Sequence, residues 1–403
     1  MARPFAMYVR HLSLADFRNY RDLELALPAG PLLFIGENAQ GKTNLLEAVY
    51  LLSTIRSLRA GSDAELIRWE AAQEGLPVAR LVAEAERSSG PVRVEMVIQG
   101  QPGENLPLSE SRPHASKRLR VNGVPKKASE TIGRINAVLF TSQDIDLIGG
   151  PPSLRRRYLD ITLTQVDARY LASLQQYNKV LSQRNALLRR IQSGMAGGEE
   201  LAFWDDHLAQ AGSYLVSARS RTVTRLAGLA AEAHSFLSQQ RETLTLTYQP
   251  RWADGWDGER AGNAGQGDLV AAFLHALAQG REREVAAGAS LWGPHRDDLL
   301  FLLDGRPAGA FASRAQGRTA ALALRLAEAQ FLLANTGDHP VLLLDDVLSE
   351  MDAGRRAGVL DVISSFDQVW ITSAEREEAV QRLIPGASVF SVKAGRVLPA
   401  QDG

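Results

Sequence analysis

Cysteine is absent from this chain of 403 residues, which excludes disulfides and thiolate chemistry and favours a reducing cytoplasm. Long apolar runs are absent too, because no stretch approaches the roughly 18 uninterrupted apolar residues of a membrane span. The N-terminus lacks the apolar region of a signal peptide. Charge of one sign is not in excess, since the net charge is −1. We therefore predict a cytoplasmic protein without a membrane partner, in which nucleic-acid binding depends on local clusters of charge.

A glycine-bracketed loop is the most specific feature that is present. The segment GENAQGKT follows an apolar strand, precedes a helical pattern and fits G-x-x-x-x-G-K-[ST]. Its glycines let backbone N–H groups converge on phosphate oxygens, Lys42 supplies a positive charge, and the Thr43 hydroxyl is expected to bind Mg²⁺. The sequence therefore predicts an ATP site whose loop residues are Gly36, Glu37, Asn38, Ala39, Gln40, Gly41, Lys42 and Thr43.

Two carboxylates follow a second apolar strand near the other end of the chain. The run from Val341 to Leu344 is typical of a parallel strand that is buried on both faces, and ligands collect at the carboxyl ends of such strands. We expect Asp345 to hold Mg²⁺ and Asp346 to orient or deprotonate the attacking water. About 300 residues separate this pair from the loop, which indicates one α/β domain interrupted by an insertion.

The insertion is predicted to be helical, because its residues are rich in Leu, Ala, Arg and Gln at helical spacing. It does not keep heptads long enough for an extended coiled coil. We predict an ATPase head of residues 1–148 and 290–403 and an arm of residues 149–289. Within the arm, residues 251–268 carry five glycines, and they are predicted to form a flexible loop.

Two turns are predicted from dipeptides that contain glycine. Asn122-Gly123 is the strongest hairpin signal in the chain. Asp304-Gly305 is predicted to join a strand at residues 298–303 to another strand at residues 308–311.

Six segments together resemble the RecF family, the recombination and DNA-repair ATPases of bacteria. They are spread over nearly the whole chain and read LSLADFRNYRDLELAL, GENAQGKTNLLEA, VLFTSQDIDLIGGPPSLRRRYLD, GPHRDD, FASRAQGRT and LLLDDVLSEMD. The resemblance implies an α/β fold: an SMC-like, ABC-type P-loop ATPase head, split in sequence, with an inserted, mainly helical arm domain lacking a long coiled coil. It begins at Met7, so the residues before Met7 are interpreted as an extension.

The resemblance also implies a function. A chain of this kind would bind ATP and Mg²⁺ between two copies of itself, close as an ATP-dependent homodimer on DNA, and open again after slow ATP hydrolysis. It would act with RecR and RecO at gaps or stalled forks and help to load RecA. The sequence would then encode a weak, DNA-linked ATPase.

Positions that match the family carry further expected roles. Ser313, which also looks like the N-cap of a helix, would contact the γ-phosphate bound by the second subunit. Gln143 would sense Mg²⁺ and the attacking water. Arg18 and Asn19 match positions near the nucleotide, and the turn at residues 349–352 would face the partner.

The chain departs from related ATPases at three places. Asp346 stands where transporter ATPases have a glutamate, a departure that agrees with RecF-like sequences. Ala315 stands where the family usually keeps a glycine, so its methyl group could hinder approach to the phosphate. Thr372 and Ser373 stand where transporter ATPases place a histidine. His295 in GPHRDD lies next to acidic residues. One imidazole alone does not indicate a metal site, so a structural or interface role is favoured.

A basic stretch supplies the candidate DNA-binding surface. Residues 151–190 contain eight basic residues against two acidic ones. No motif for reading bases is present, so we expect backbone or junction recognition rather than sequence recognition. The residues predicted to contact DNA are Arg155, Arg156, Arg157, Arg184, Arg189 and Arg190.

Other interpretations stay open at this point. The basic stretch alone is typical of a solvated helix face. The ATP loop alone fits a phosphotransferase that acts as a monomer on a small molecule, or the ATPase subunit of a transporter, although the transporter histidine is missing here.

Overall fold

The computed structural model describes residues 7–75, 77–100, 115–252, 255–351, 353–374 and 384–400. The chain forms two compact units, which we name the head unit (Met1–Gln143 with Glu328–Gly403) and the arm unit (Asp144–Ala327). The second boundary lies within a continuous helix rather than at residue 290, so residues 290–327 group with the arm. The extension expected before Met7 lies outside the described residues.

The strands are numbered in chain order. They are β1 (Tyr8–Phe17), β2 (Tyr20–Ala26), β3 (Gly30–Ile35), β4 (Val78–Glu86), β5 (Val92–Gly100), β6 (Ala115–Val121), β7 (Val124–Lys126), β8 (Ala137–Thr141), β9 (Leu244–Gln249), β10 (Asp298–Leu303), β11 (Arg306–Pro307), β12 (Val341–Asp345), β13 (Gln368–Ser373), β14 (Ser388–Lys393) and β15 (Arg396–Pro399).

The helices are numbered in the same way. They are α1 (Lys42–Thr54), α2 (Trp69–Gln73), α3 (Ala128–Thr131), α4 (Ile145–Gly149), α5 (Pro152–Thr164), α6 (Ala168–Gln192), α7 (Leu201–Leu237), α8 (Gly258–Asn263), α9 (Gln266–Ala287), α10 (Ala308–Phe311), α11 (Arg314–Thr336) and α12 (Ala353–Ile363), with 3₁₀ turns at Asp63–Leu66, Ser142–Asp144 and Leu348–Glu350. In the described ranges, every helix is too short or too polar to cross a membrane.

A mainly parallel sheet forms the centre of the head unit. Its strand order is β15-β14-β3-β13-β12-β8, and only β15 runs antiparallel to its neighbour. The apolar run predicted as a buried strand is β12, whose Val341, Leu342, Leu343 and Leu344 are fully buried. Because the strands are parallel, the loop after β3 and the carboxylates at the end of β12 lie at the same edge of the sheet.

The head unit also contains an antiparallel sheet, with strand order β2-β1-β4-β5-β6-β7. The predicted Asn122-Gly123 hairpin joins β6 to β7, and both turn residues have positive φ, as a two-residue type I′ turn requires. Gln368 on β13 connects the two sheets. Its buried side chain accepts from Val9 N at 3.0 Å and donates to the carbonyl oxygens of Val9 and Pro28, each at 2.9 Å.

The arm unit is built around α6 and α7, which have 25 and 37 residues. They pack as an antiparallel pair, since Asp167 near the start of α6 contacts Tyr214, whereas Arg184 further along contacts Asp205. Arg184 is fully buried and binds the carboxylates of Asp205 at 2.7 Å and Glu284 at 2.6 Å. A three-stranded sheet, β11-β10-β9, completes the unit.

The prediction of a flexible loop at residues 251–268 was wrong for the described residues 251–252 and 255–268. Trp252 is 1% exposed and its ring lies edge-on to Phe273 at 5.3 Å. Asp257 caps α8 by accepting from Arg260 N at 2.8 Å. The number of glycines does not reveal the buried Trp252 ring or the Asp257 helix cap, which hold the described residues of this segment in place.

The strand predicted at residues 308–311 was also wrong, because these residues form the short helix α10. The partner strand β11 ends after two residues at Pro307, which has no N–H to extend the ladder. Ala308, Gly309 and Ala310 have no β-branched side chain that favours a strand. A bond from Ala312 N to Ala308 O, at 3.0 Å, closes the helical turn.

Candidate nucleotide site and candidate DNA-binding surface

The phosphate-binding loop joins β3 to α1, and both of its bracketing glycines are required by the backbone. Gly41 has φ +115°, which residues with a Cβ rarely adopt, and a Cβ there would lie 2.6 Å from Asn19 Nδ2. A Cβ at Gly36 would collide with the carbonyl oxygen of Val392 on β14. The predicted loop shape therefore depends on contacts from two neighbouring segments of the head unit.

Gly41→Ala should weaken ATP binding roughly tenfold or more and lower the free energy of unfolding by about 1–3 kcal/mol. The methyl group would force either the backbone or Asn19 to move. Calorimetric ATP titration and chemical denaturation measure the two effects. Gly228→Ala in α7 is the control, because its Cβ would enter open space. Unchanged ATP affinity in Gly41→Ala would show that this loop does not hold the phosphates.

Lys42 lies inside the loop and is 7% exposed. Its ammonium donates to the carbonyl oxygens of Gly36 at 2.6 Å and Glu37 at 2.8 Å. Burial lowers the pKa of Lys42, while the nearby carboxylates of Asp346 and Asp345 act in the opposite direction. The loop thus places a positive charge next to both predicted catalytic carboxylates.

A chain of hydroxyl groups connects the loop to the carboxylates. Thr43 Oγ1 donates to Asp345 Oδ1 at 2.8 Å, although 302 residues separate them in sequence. Thr372 Oγ1 lies 3.0 Å from the same Asp345 oxygen and accepts from Asp346 N at 2.9 Å. The structure therefore brings Lys42, Thr43 and the carboxylate pair into one site, as the two motifs predict.

Asp346 leaves the strand in an uncommon backbone conformation, with φ +53°. The hydroxyl of Ser349 lies 3.0 Å from Asp346 Oδ1 and 2.9 Å from Asp346 O. Ser349 is exposed, and it belongs to the turn that the sequence predicts to face a partner. The last residue of that turn, Asp352, lies outside the described residues.

Gln143 follows β8, and its side chain is exposed. Thr141 at the end of β8 is in register with Asp345 on the neighbouring strand. Gln143 therefore emerges beside the carboxylate pair, on the side opposite β13. Its predicted contact with Mg²⁺ and water stays a prediction.

Arg18 and Asn19 occupy the turn between β1 and β2, and their side chains support the loop from within the head unit. Arg18 forms two bonds of 2.9 Å with the buried carboxylate of Glu47 on α1. Asn19 Nδ2 donates to Gln40 O in the loop, also at 2.9 Å. Sequence reasoning missed Glu47, whose signal is a lone carboxylate within the apolar helix α1. Direct contact of Arg18 or Asn19 with the nucleotide stays a prediction.

The donor set of this site fits Mg²⁺ and ATP. Thr43 gives its proton to Asp345, so the lone pairs of its oxygen are available to a hard cation. Oxygen ligands from a hydroxyl and a carboxylate are those that Mg²⁺ prefers. The backbone N–H groups at the start of α1 and the Lys42 ammonium suit an anionic phosphate chain.

Ser313 lies in the arm unit at the start of α11, where it forms the predicted cap. Its hydroxyl accepts from Gln316 N at 3.3 Å, and Gln316 Oε1 accepts from Ser313 N at 2.8 Å. Ser313, Arg314 and Ala315 are all exposed, and the ring of Phe311 is 68% exposed. This end of the helix is therefore accessible to another molecule.

Two of the predicted DNA contacts were wrong, because Arg155 and Arg184 are buried. Arg155 forms a two-bond ion pair with Asp298, at 2.7 and 2.9 Å. Arg184 is held between buried carboxylates within the arm. Arg156 is half-buried and donates to Asp297 O at 2.8 Å. Carboxylates within the arm therefore neutralise the charges of Arg155 and Arg184, whereas Arg156 is bound by a backbone carbonyl oxygen.

The remaining basic residues leave a positively charged surface on α6. Arg189 and Arg190 are exposed, whereas Arg157 on α5 is half-buried. The sequence of α6 contains no acidic residue. Sequence reasoning missed the exposed Arg169 and Lys179 as members of this surface, although they belong to the same basic stretch. We name Arg169, Lys179, Arg189 and Arg190 the α6 basic surface.

His295 is part of a buried hydrogen-bond network in the arm unit. Its Nδ1 accepts from the Tyr177 hydroxyl at 2.7 Å, and its Nε2–H donates to Ser290 O at 3.1 Å. Burial lowers the pKa of His295 to about 4, so the imidazole is neutral at pH 7. The neighbouring Asp297 accepts from Tyr248 and Arg251. These contacts give GPHRDD a structural role.

His295→Gln should reduce the loss of stability that the protein shows as the pH falls from 6.5 towards 4. The folded-state pKa lies below the ordinary value of 6.5, so in this range the unfolded chain binds a proton that the folded chain excludes. Urea unfolding at pH 7 and pH 5 measures the effect. His275→Gln, at an exposed position on α9, should leave the wild-type pH dependence intact. An equal pH dependence in wild type and His295→Gln would contradict this account.

Comparison with known proteins extends these observations. Residues 8–395 match the family described as the RecF/RecN/SMC N terminal domain. The chain is 44% identical over 401 residues to the DNA replication and repair protein RecF of Roseiflexus castenholzii, which covers 98% of this chain and 100% of the relative. It is 45% identical over 375 residues to the same protein of Chloroflexus aurantiacus, with 91% and 93% covered.

Solved structures show the same relationship. A structure of the recombination mediator protein RecF with ATP, from the RecFOR pathway, superposes with a TM-score of 0.86 at 29% identity over 99% of both chains. The Smc head domain of Pyrococcus furiosus superposes with a TM-score of 0.53 at 15% identity over 98% and 96% of the chains, which shows a shared fold. The predicted fold class, an SMC-like ATPase head without a long coiled coil, is confirmed.

Proposed function

We propose that this chain binds and hydrolyses ATP to control a homodimer that closes on DNA. The chain belongs to the RecF family of DNA replication and repair proteins, and the proposal starts from that membership. The observation that carries the proposal is the bond between Thr43 and Asp345 at 2.8 Å. It joins two motifs from opposite ends of the chain into one site. A RecF structure with ATP, at 29% identity, supports ATP as the nucleotide.

The proposed hydrolysis uses groups that the head unit holds in place. Lys42 and the N–H groups at the start of α1 bind the phosphate oxygens. Thr43 and Asp345 would hold Mg²⁺, which would supply positive charge near the phosphate chain. Asp346 orients the attacking water and accepts its proton, with Gln143 on the other side of Asp345.

The proposed dimer explains the exposed cap at Ser313. In a closed dimer, the Ser313 hydroxyl and the first N–H groups of α11 would bind the γ-phosphate held by the partner's loop. The exposed Phe311 ring next to it would become buried on dimerisation. Ala315 is exposed on the same turn, so its methyl group would face the partner. Ser349 on the other predicted partner-facing turn is exposed too.

The proposed DNA contact is the α6 basic surface. Its charges are exposed, and α6 has no acidic residue to compete for them. Phosphate contacts of this kind are independent of base sequence and weaken as salt is added. We propose that the dimer grips the DNA backbone or a junction, and that the chain acts with RecR and RecO at gaps or stalled forks to help load RecA. The RecFOR pathway named for the solved relatives supports this role.

Arg189→Ala with Arg190→Ala should weaken ATP-dependent DNA binding roughly tenfold or more at moderate salt. The slope of log affinity against log salt should fall by about 1.8, because two phosphate contacts are lost. Fluorescence anisotropy on gapped and blunt duplexes at several salt concentrations measures both quantities. Arg21→Ala, at an exposed position in the head unit, is the matched control. Wild-type affinity and slope in the double variant would exclude Arg189 and Arg190 as DNA contacts.

A further inference from the structure

The hydroxyl of Thr372 contacts both catalytic carboxylate residues at once. Thr372 lies on β13, between the strand that leads into the loop and the strand that carries Asp345. It is in register with Asp345 and with Phe34, and it is 1% exposed. Its Oγ1 accepts from Asp346 N at 2.9 Å and donates to Asp345 Oδ1 at 3.0 Å. The other possible acceptor, Leu344 O, is more distant at 3.4 Å.

The bond from Thr372 to Asp345 Oδ1 fixes the orientation of the predicted metal ligand. Asp345 Oδ1 receives one proton from Thr43 on α1 and one from Thr372 on β13. Two donors from different elements leave the carboxylate little freedom to rotate. Metal ligands held in this way by a second set of hydrogen bonds keep the orientation that the metal requires.

The bond from Asp346 N to Thr372 holds the backbone of Asp346 in its uncommon conformation. A positive φ at a residue with a side chain persists only where the surroundings impose it. Here the Asp346 N–H is bound from one side by Thr372, and its carboxylate is bound from the other side by Ser349. The Thr372 bond therefore sets where the carboxylate of Asp346 stands relative to Asp345.

In the same geometry, the Thr372 hydroxyl does not donate a hydrogen bond to a phosphate group. A threonine hydroxyl has one proton to donate, and Thr372 gives it to Asp345. It has no proton left to offer a phosphate, which is the contact that a histidine makes at this place in transporter ATPases.

We propose that Thr372 is a positioning residue for ATP hydrolysis, which aligns the carboxylate that holds the metal with the carboxylate that acts on water. The inference rests on the proposed ATPase function. It predicts that loss of the hydroxyl impairs turnover and the use of Mg²⁺, while metal-free ATP binding is retained.

Three variants test the proposal. Thr372→Val keeps the branched shape and removes the hydroxyl, Thr372→Ser restores the hydroxyl, and Thr131→Val removes a buried threonine hydroxyl that donates to Lys127 O at 3.0 Å, outside the proposed site. Phosphate release gives kcat. Calorimetric ATP titration without metal and at increasing Mg²⁺ gives a readout that is independent of turnover. Thermal unfolding reports stability.

In Thr372→Val, we expect kcat to fall roughly tenfold or more and the Mg²⁺ concentration for half-maximal effect on ATP binding to rise. Metal-free ATP affinity should stay at the wild-type value. Thr372→Ser should recover most of kcat, and Thr131→Val should match wild type. Equal losses of kcat in Thr372→Val and Thr372→Ser, or wild-type kcat and Mg²⁺ dependence in Thr372→Val, would overturn the proposal. Absence of turnover in the wild type would instead refute the ATPase function itself.

Discussion

Lys42→Arg should lower the rate of ATP hydrolysis roughly a hundredfold or more and change ATP affinity only a few-fold. The ammonium of Lys42 fits between the carbonyl oxygens of Gly36 and Glu37, at 2.6 and 2.8 Å. A guanidinium keeps the positive charge that attracts the phosphates, but it is larger, planar and directional in its hydrogen bonds. It therefore cannot occupy the same position between the two carbonyl oxygens. Phosphate release and calorimetric ATP titration separate the two effects.

Lys126→Arg is the matched control for this substitution. Lys126 lies on the β6–β7 hairpin and pairs with Glu130, and arginine can keep that ion pair. Its turnover should equal that of the wild type. If Lys42→Arg hydrolysed ATP at the wild-type rate, the loop at residues 36–43 would not be the catalytic phosphate site.

Ser313→Arg should abolish ATP-driven dimerisation and, with it, most ATP hydrolysis. Ser313 is exposed at the start of α11, where its hydroxyl caps the helix at Gln316 N. A long cationic side chain there would fill the space into which the partner's nucleotide must fit, and the cap would be lost. Binding of ATP to the isolated chain should persist, because the loop and both carboxylates belong to the head unit. Turnover as a function of protein concentration, together with ATP titration, measures the change.

Ser116→Arg provides the control, since Ser116 is an exposed residue of the antiparallel sheet. Its turnover should keep the concentration dependence of the wild type. Wild-type turnover in Ser313→Arg would mean that the cap of α11 takes no part in hydrolysis. Loss of ATP binding in the same variant would mean that Ser313 acts on its own chain.

The nucleotide site was largely predictable from the sequence, because its chemistry needs particular residue types at fixed local spacing. The loop at residues 36–43 requires glycines and a lysine within eight positions, and the carboxylates must follow a buried strand. The supporting contacts were not predictable. Glu47 and Thr372 act through partners elsewhere in the sequence. A lone carboxylate in an apolar helix draws attention to Glu47, but neither local pattern identifies the partner.

The arginines of the arm show where prediction from the sequence failed. Arg155 and Arg184 look like surface charges in a basic stretch, yet both are buried. Their acidic partners come from distant segments: Asp298 pairs with Arg155, and Asp205 and Glu284 pair with Arg184. Local composition gives the number of arginine charges, but it does not reveal whether a carboxylate from a distant segment neutralises them. The exposed Arg189 and Arg190 remain accessible for the proposed contact with DNA.

The most direct test of the central claim is the mass of the protein in solution with and without ATP and Mg²⁺, measured on a variant that binds but does not turn over ATP, such as Lys42→Arg. The account predicts one chain of 43.9 kDa without nucleotide and a complex of twice that mass with ATP and Mg²⁺. Adding Ser313→Arg to this variant should return the mass to that of a single chain. A single chain under all conditions, with ATP bound, would contradict the ATP-driven clamp and favour a phosphotransferase that works as a monomer.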